Sequence, residues 1–139
     1  MRLDLYLEET RHSALRRGEL LDEARKKLLD GHSLSRLEQA GVLHLLQLLV
    51  ENAIGKAKHL LKEEGKNIPV SAHDTFDELA ETGLLNPTML EEWHAIIGLR
   101  NRIVHDYMNI DMDWIQKLVQ QEKYRMLVDF LCAPFPSER

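Results

Sequence analysis

The sequence predicts an all-α protein, an up-and-down bundle of about five helices, and three observations carry that expectation. Apolar residues recur at helical spacing along most of the 139 residues, no segment alternates as a strand would, and the helical stretches are bounded by start and stop residues. The length fits one folding unit, so residues 1–139 are expected to form a single domain with a frayed tail over 132–139.

The first helix is expected from about Leu3 to Leu29, with Leu3, Leu7, Ala14, Leu21, Ala24 and Leu28 on one stripe and Asp30-Gly31 as its stop. Ser35 followed by Glu38 has the spacing of a capping box and opens a second helix to about Glu64. Its middle, AGVLHLLQLLV, is apolar on nearly every side, so this helix is either central to the bundle or shared with another subunit. Gly65 ends it, Ser71 caps a short third helix, and Gly83 stops that one. Asn86-Pro87 opens the fourth by the logic of an N-cap and a first-turn proline. Asn109 or Asp111 starts the fifth, whose core face is expected to hold Trp114, Leu118, Val119, Met126, Phe130 and Leu131.

Composition narrows the function. A net charge of -5 opposes a broad basic face for nucleic acid, so any RNA contact must be local. The basic residues gather at Arg11, Arg16, Arg17, Arg25, Lys26 and Lys27, at Lys56, Lys58 and Lys62, and at Arg100 with Arg102. The first two groups read as solvated helix faces. Cys132 is the sole cysteine, which excludes an intrachain disulfide and a thiolate cluster. Acids in the N-terminal MRLDLYLEET and the short apolar run from Ala40 to Val50 speak against a signal peptide or a membrane span, so a cytoplasmic protein is the expectation. No nucleophile elbow and no Gly-rich phosphate loop is present.

The chemistry concentrates in WHAIIGLRNRIVHDYM, which starts at Trp93. Helical turning puts Trp93, Ile97, Val104 and Tyr107 on one face, and Arg100 falls within that stripe. A guanidinium there needs a carboxylate such as Glu51, a wet cleft or a ligand phosphate. His94, Asn101 and His105 share an adjoining strip, beside which Gly98 leaves room for a close neighbour. His94 and His105 without carboxylates make a poor metal site, so no metal and no cofactor is expected. Arg100 and His105 point about 140° apart on an ideal helix, so either the helix breaks near His105 or a second copy completes the site.

Arg100, four residues, His105, one residue and Tyr107 match the Arg-x4-His-x-Tyr pattern of the HepT-like HEPN family, with Asn101 as the polar residue that often follows the Arg. ENAIGKAKHLL from Glu51 to Leu61 is similar to the family's second-helix segment, and IPVSAHDTFDELAETGLL resembles its link into the third helix. The resemblance covers about Ser35 to Asp113. Gly55 departs from it, standing where the family often has a polar or acidic side chain.

The resemblance implies a homodimer that joins through the motif-bearing helices and cuts RNA, such as tRNA, without metal. Arg100 would stabilise the phosphate, His105 would act as general acid or base and Asn101 would orient either group. The product would carry a 2′,3′-cyclic phosphate. Tyr107, a core tyrosine by periodicity alone, would be the site where a nucleotidyltransferase antitoxin attaches AMP. Two other readings stay open from the residues: a non-catalytic module that binds a nucleotide or docks a nucleotidyltransferase, and an oligomerisation unit in which Arg100 and His105 only satisfy interface hydrogen bonds.

Overall fold

In the computed structural model, residues 3–135 are described and form six α-helices with no strand among them. The helices are α1 (Leu3–Leu29), α2 (Arg36–Glu63), α3 (Ala72–Glu81), α4 (Leu90–His105), α5 (Met112–Gln120) and α6 (Arg125–Cys132). Short 3₁₀ turns at Pro87–Met89 and Tyr107–Asn109 flank α4. No helix among the described residues is long and apolar enough to cross a membrane.

The caps behave as their chemistry requires. Ser35 Oγ accepts from the Glu38 amide at 3.0 Å while Glu38 Oε1 accepts from the Ser35 amide at 2.8 Å, which completes the capping box. Asn86 Oδ1 accepts from the Thr88 amide at 3.1 Å, so Pro87 opens a 3₁₀ turn that runs directly into α4. Gly83 at φ +81° reverses the chain after α3 and folds α4 back against it.

α2 is the central helix. It packs against α1, α3, α4 and α6, and Val42, Leu43, Leu46, Leu49, Val50, Ala53, Ala57, Leu60 and Leu61 are all buried. Its all-round apolar middle is therefore used inside one protomer. α1 approaches α6 closely at Gly18, where an added Cβ would meet Val128 Cγ2 at 3.1 Å.

The expected fifth helix is two. The chain turns between Gln120 and Arg125, with Glu122 in the left-handed region at φ +58°, and the break rotates the face that α6 presents. Trp114 consequently stays at the rim, 42% exposed, while Ile115, Leu127 and Val128 are buried beside Leu118, Val119 and Leu131. The expected fraying over 132–139 does not reach Phe135, which is fully buried; residues 136–139 lie outside the described ones.

Cations expected on solvated faces instead hold the ends of α5 and α6. Arg11 Nε donates to the Cys132 carbonyl and Arg25 Nε to the Gln120 carbonyl, each at 3.0 Å. Lys56, 1% exposed, donates to the carbonyls of Phe130 at 2.6 Å, Leu131 at 3.3 Å and Ala133. The last carbonyls of a helix have no partner within it and carry partial negative charge, so a cation from a packed neighbour satisfies both needs. Phe130 and Phe135 flank the Lys56 ammonium at 5.4 and 5.8 Å from their ring centres. Lys56→Met should cost about 2–4 kcal/mol in urea denaturation, because it leaves buried carbonyls unpaired, whereas Lys58→Met, whose bond to the Val70 carbonyl is exposed, should change stability by less than about 0.5 kcal/mol.

Candidate functional site

The site is built at the C-terminal end of α4. Trp93, Ile96, Ile97, Leu99 and Ile103 are buried and fix the helix to the bundle, which covers it as far as Ile103. From Val104 to Asn109 every residue is exposed. Asp106, at φ −144° and ψ 41°, leaves the helical region, and its Oδ1 accepts from Asn109 Nδ2 at 2.6 Å to hold the following 3₁₀ turn.

This position of the break decides which residues move. His105 is the last helical residue and keeps its place on the strip of His94, Gly98 and Asn101. Tyr107 lies beyond the break, so it departs from the stripe expected to contain it. It is 49% exposed rather than a core tyrosine, and Val104 is 44% exposed. Tyr107 lines a cleft of about 510 Å³ together with Arg36 and Gln39 from the start of α2 and Ile110 and Met112 beyond the turn.

Arg100 sits on the core side of α4, one turn from Ile96 and Ile97 and adjacent to Ile103. Its Nε is buried with no hydrogen-bond partner. Glu51, the carboxylate the sequence offers for it, is exposed and accepts from Gln47 at 3.3 Å instead. The guanidinium is thus partly desolvated without a carboxylate, a state stabilised by an anion that enters from outside. Because helical geometry persists through His105, the body of α4 separates Arg100 from His105 within one protomer. Gly98, with no heavy atom within 4 Å of a Cβ built on it, leaves the His105 side of the helix open.

His94 is engaged elsewhere. Its Nε2 lies 2.8 Å from Asp77 Oδ1 on α3, and its ring stacks on His73 with centres 3.7 Å apart. His73 and Asp77 carried no weight in the sequence reading, although their spacing of four on a predicted helix was a legible signal of adjacency. Cys132 is not an activated nucleophile: burial pushes its thiol up, against the smaller opposing effects of Lys56 and Arg11.

Comparison with known proteins gives the family and the fold. The family described as Ribonuclease HepT-like matches residues 10–133. The chain is 31% identical over 97 residues to the mRNA nuclease HepT of Shewanella oneidensis, which spans 68% of this chain and 73% of that protein. It is 32% identical over 83 residues to the tRNA nuclease HepT of Aphanizomenon flos-aquae, 60% of this chain and 56% of that one. Its fold is similar to a chain of the complex between tri-AMPylated Shewanella oneidensis HEPN toxin and MNT antitoxin, with a TM-score of 0.77 and 23% identity over 96% of this chain and 100% of that one. A chain of a mutant MntA–HpeT toxin–antitoxin crystal structure gives a TM-score of 0.76 and 25% identity over 93% and 98% of the two chains.

An Arg100 that served the fold through a satisfied ion pair would be costly to replace. With Nε buried and unpaired, Arg100→Met should leave stability unchanged or raise it by up to about 1.5 kcal/mol, measured by thermal or urea denaturation. A loss of more than about 2 kcal/mol would show that Arg100 is a structural residue.

Proposed function

The chain belongs to the Ribonuclease HepT-like family and shares its enzyme class, endoribonuclease; on that footing we propose that it is the toxin of a toxin–antitoxin pair and cuts RNA without metal. The observation that carries the reading is the Arg100 guanidinium, held in an apolar stripe with Nε buried and unpaired, five residues before an exposed imidazole.

A homodimer supplies what one helix cannot. The exposed end of α4, with apolar Val104 and Met108 bare and Gly98 open, suits the approach of a second copy around a two-fold axis. Two motifs then share one cleft and present two imidazoles. One neutral His105 takes the proton from a ribose 2′-hydroxyl, and the 2′-oxygen forms a bond to phosphorus as the bond to the 5′-oxygen breaks. The second His105, protonated, gives its proton to that leaving oxygen. Arg100 holds the non-bridging oxygens and stabilises the charge that grows on them, while Asn101 orients the phosphate or an imidazole. The products are a 2′,3′-cyclic phosphate and a 5′-hydroxyl.

Control falls to Tyr107. Half exposed beside the motif and lining an open cleft, its hydroxyl is reachable by a nucleotidyltransferase antitoxin. The phenolic oxygen attacks the α-phosphorus of ATP, pyrophosphate leaves, and the tyrosine keeps an AMP whose charge and bulk occupy the approach of the substrate phosphate. The tri-AMPylated state of the Shewanella oneidensis HEPN toxin in its complex with MNT antitoxin supports this step. The net charge of -5 favours a second reading, a non-catalytic module that binds a nucleotide or docks the same partner.

Incubation with total tRNA in EDTA separates the two. The wild type should give fragments with cyclic phosphate ends, and Arg100→Ala and His105→Ala should each cut cleavage at least about 100-fold with the fold intact by circular dichroism. Absence of cleavage by the wild type would reject the nuclease reading. With a nucleotidyltransferase partner and labelled ATP, the wild type should take up nucleotide and Tyr107→Phe should not; equal labelling of both would reject Tyr107 as the acceptor.

A further inference from the structure

Outside the motif, one cluster of side chains among the described residues has ligand chemistry that the proposed RNA cleavage leaves unused. His73 and Asp77 stand one turn apart on α3, and the reversal at Gly83 brings His94 of α4 against them. His94 Nε2 is 2.8 Å from Asp77 Oδ1, and His73 Nδ1 is 3.3 Å from Asp77 Oδ2. A donor atom from each of the three lies within 4.8 Å of the other two.

We propose that His73, Asp77 and His94 bind a zinc-class divalent cation that ties α3 to α4. Metal–ligand bonds of about 2.0–2.2 Å in tetrahedral geometry place donor atoms about 3.3–3.6 Å apart, so one donor from each residue, all within 4.8 Å of one another, comes within bonding range of one ion by side-chain rotation. Two imidazoles with one carboxylate select zinc, cobalt or nickel over magnesium and calcium, which prefer oxygen donors. Three protein ligands leave a fourth position for water, on the solvent side where His73 and Asp77 are partly exposed.

One movement is required. The two rings are stacked, 14° from parallel, and ring lone pairs lie in the ring planes, so stacked imidazoles cannot both aim at one ion. His73 is the ring that turns: its side chain is 58% exposed, against 28% for His94, and rotation about its side-chain bonds meets solvent. Asp74, whose Oδ1 is 3.5 Å from His73 Nδ1, adds a second negative charge beside the cation.

The test uses the untagged full chain, stripped of metal, titrated with zinc by calorimetry and with cobalt by visible absorption. The expected result is one ion per chain, a tetrahedral cobalt spectrum, and a Tm raised by about 5–10 °C when zinc stands at 100 times its Kd. His73→Ala and Asp77→Asn should each abolish all three, and His73→Ala, at an exposed position, should keep the apo Tm. Absence of saturable binding would mean that the cluster is only a His–Asp latch, and undiminished binding by His73→Ala would place the ion elsewhere; either overturns the proposal. Cleavage in EDTA is read separately, so failure of this site leaves the nuclease reading standing.

Discussion

A helix that turns about 100° per residue cannot give one face to a core and the same face to a reaction, and in the proposed nuclease α4 serves both. The bundle takes Trp93, Ile96, Ile97, Leu99 and Ile103, which leaves Arg100 inside the buried arc and His105 across the helix from it. The chain meets this conflict by ending its coverage at Ile103. Beyond that residue α4 runs on for half a turn without support, so side chains that diverge around its axis all reach solvent. The same geometry gives the proposed homodimer a chemical reason: groups that point apart within one protomer can be joined by symmetry.

An unsupported helix end is useful only on a rigid body. α2 provides that body, and the cations of α1 and α2 extend its hold to the last helices. Arg11 and Lys56 close the end of α6, and Arg25 closes the end of α5. Arg125 adds a tie from α6 to Asp22 of α1 at 2.9 Å, where the Tyr124 hydroxyl also donates. These contacts show how an acidic chain uses several of its basic residues inside the fold. Arg11, Arg25 and Lys56 thereby serve helix ends rather than an open basic face.

Local signals in the sequence were legible where the physics is local. The capping box at Ser35, the proline start at Pro87 and the glycine stop at Gly83 are decided by residues within a turn of each other, and each holds. The α5–α6 break was not legible, because residues 121–124 contain neither Gly nor Pro and Glu122 adopts its left-handed backbone only under tertiary packing. Lys56 was misplaced for the same reason: its carbonyl partners lie 74 to 77 residues away, and a lysine on an amphipathic helix gives no local sign of them. At the site, periodicity put Arg100 in the apolar stripe, where it lies, but could not foresee that Asp106 would end the helix and release Tyr107. The partnership of His94 with Asp77 depends on how α4 folds back on α3, which no single helix pattern contains.

The location also sets an electrostatic problem that accounts for the residues chosen. A helix C-terminus carries about half a negative charge, so its backbone repels a phosphate, unlike the N-terminal ends at which phosphates commonly bind. Arg100 and Arg102 stand in the last turn and a half of α4 and oppose that charge. Their reach is narrow, since the rest of the surface is acidic overall and salt screens beyond about 8–10 Å. In the proposed control, a phosphodiester on Tyr107, two residues past the end of the helix, restores negative charge beside the motif.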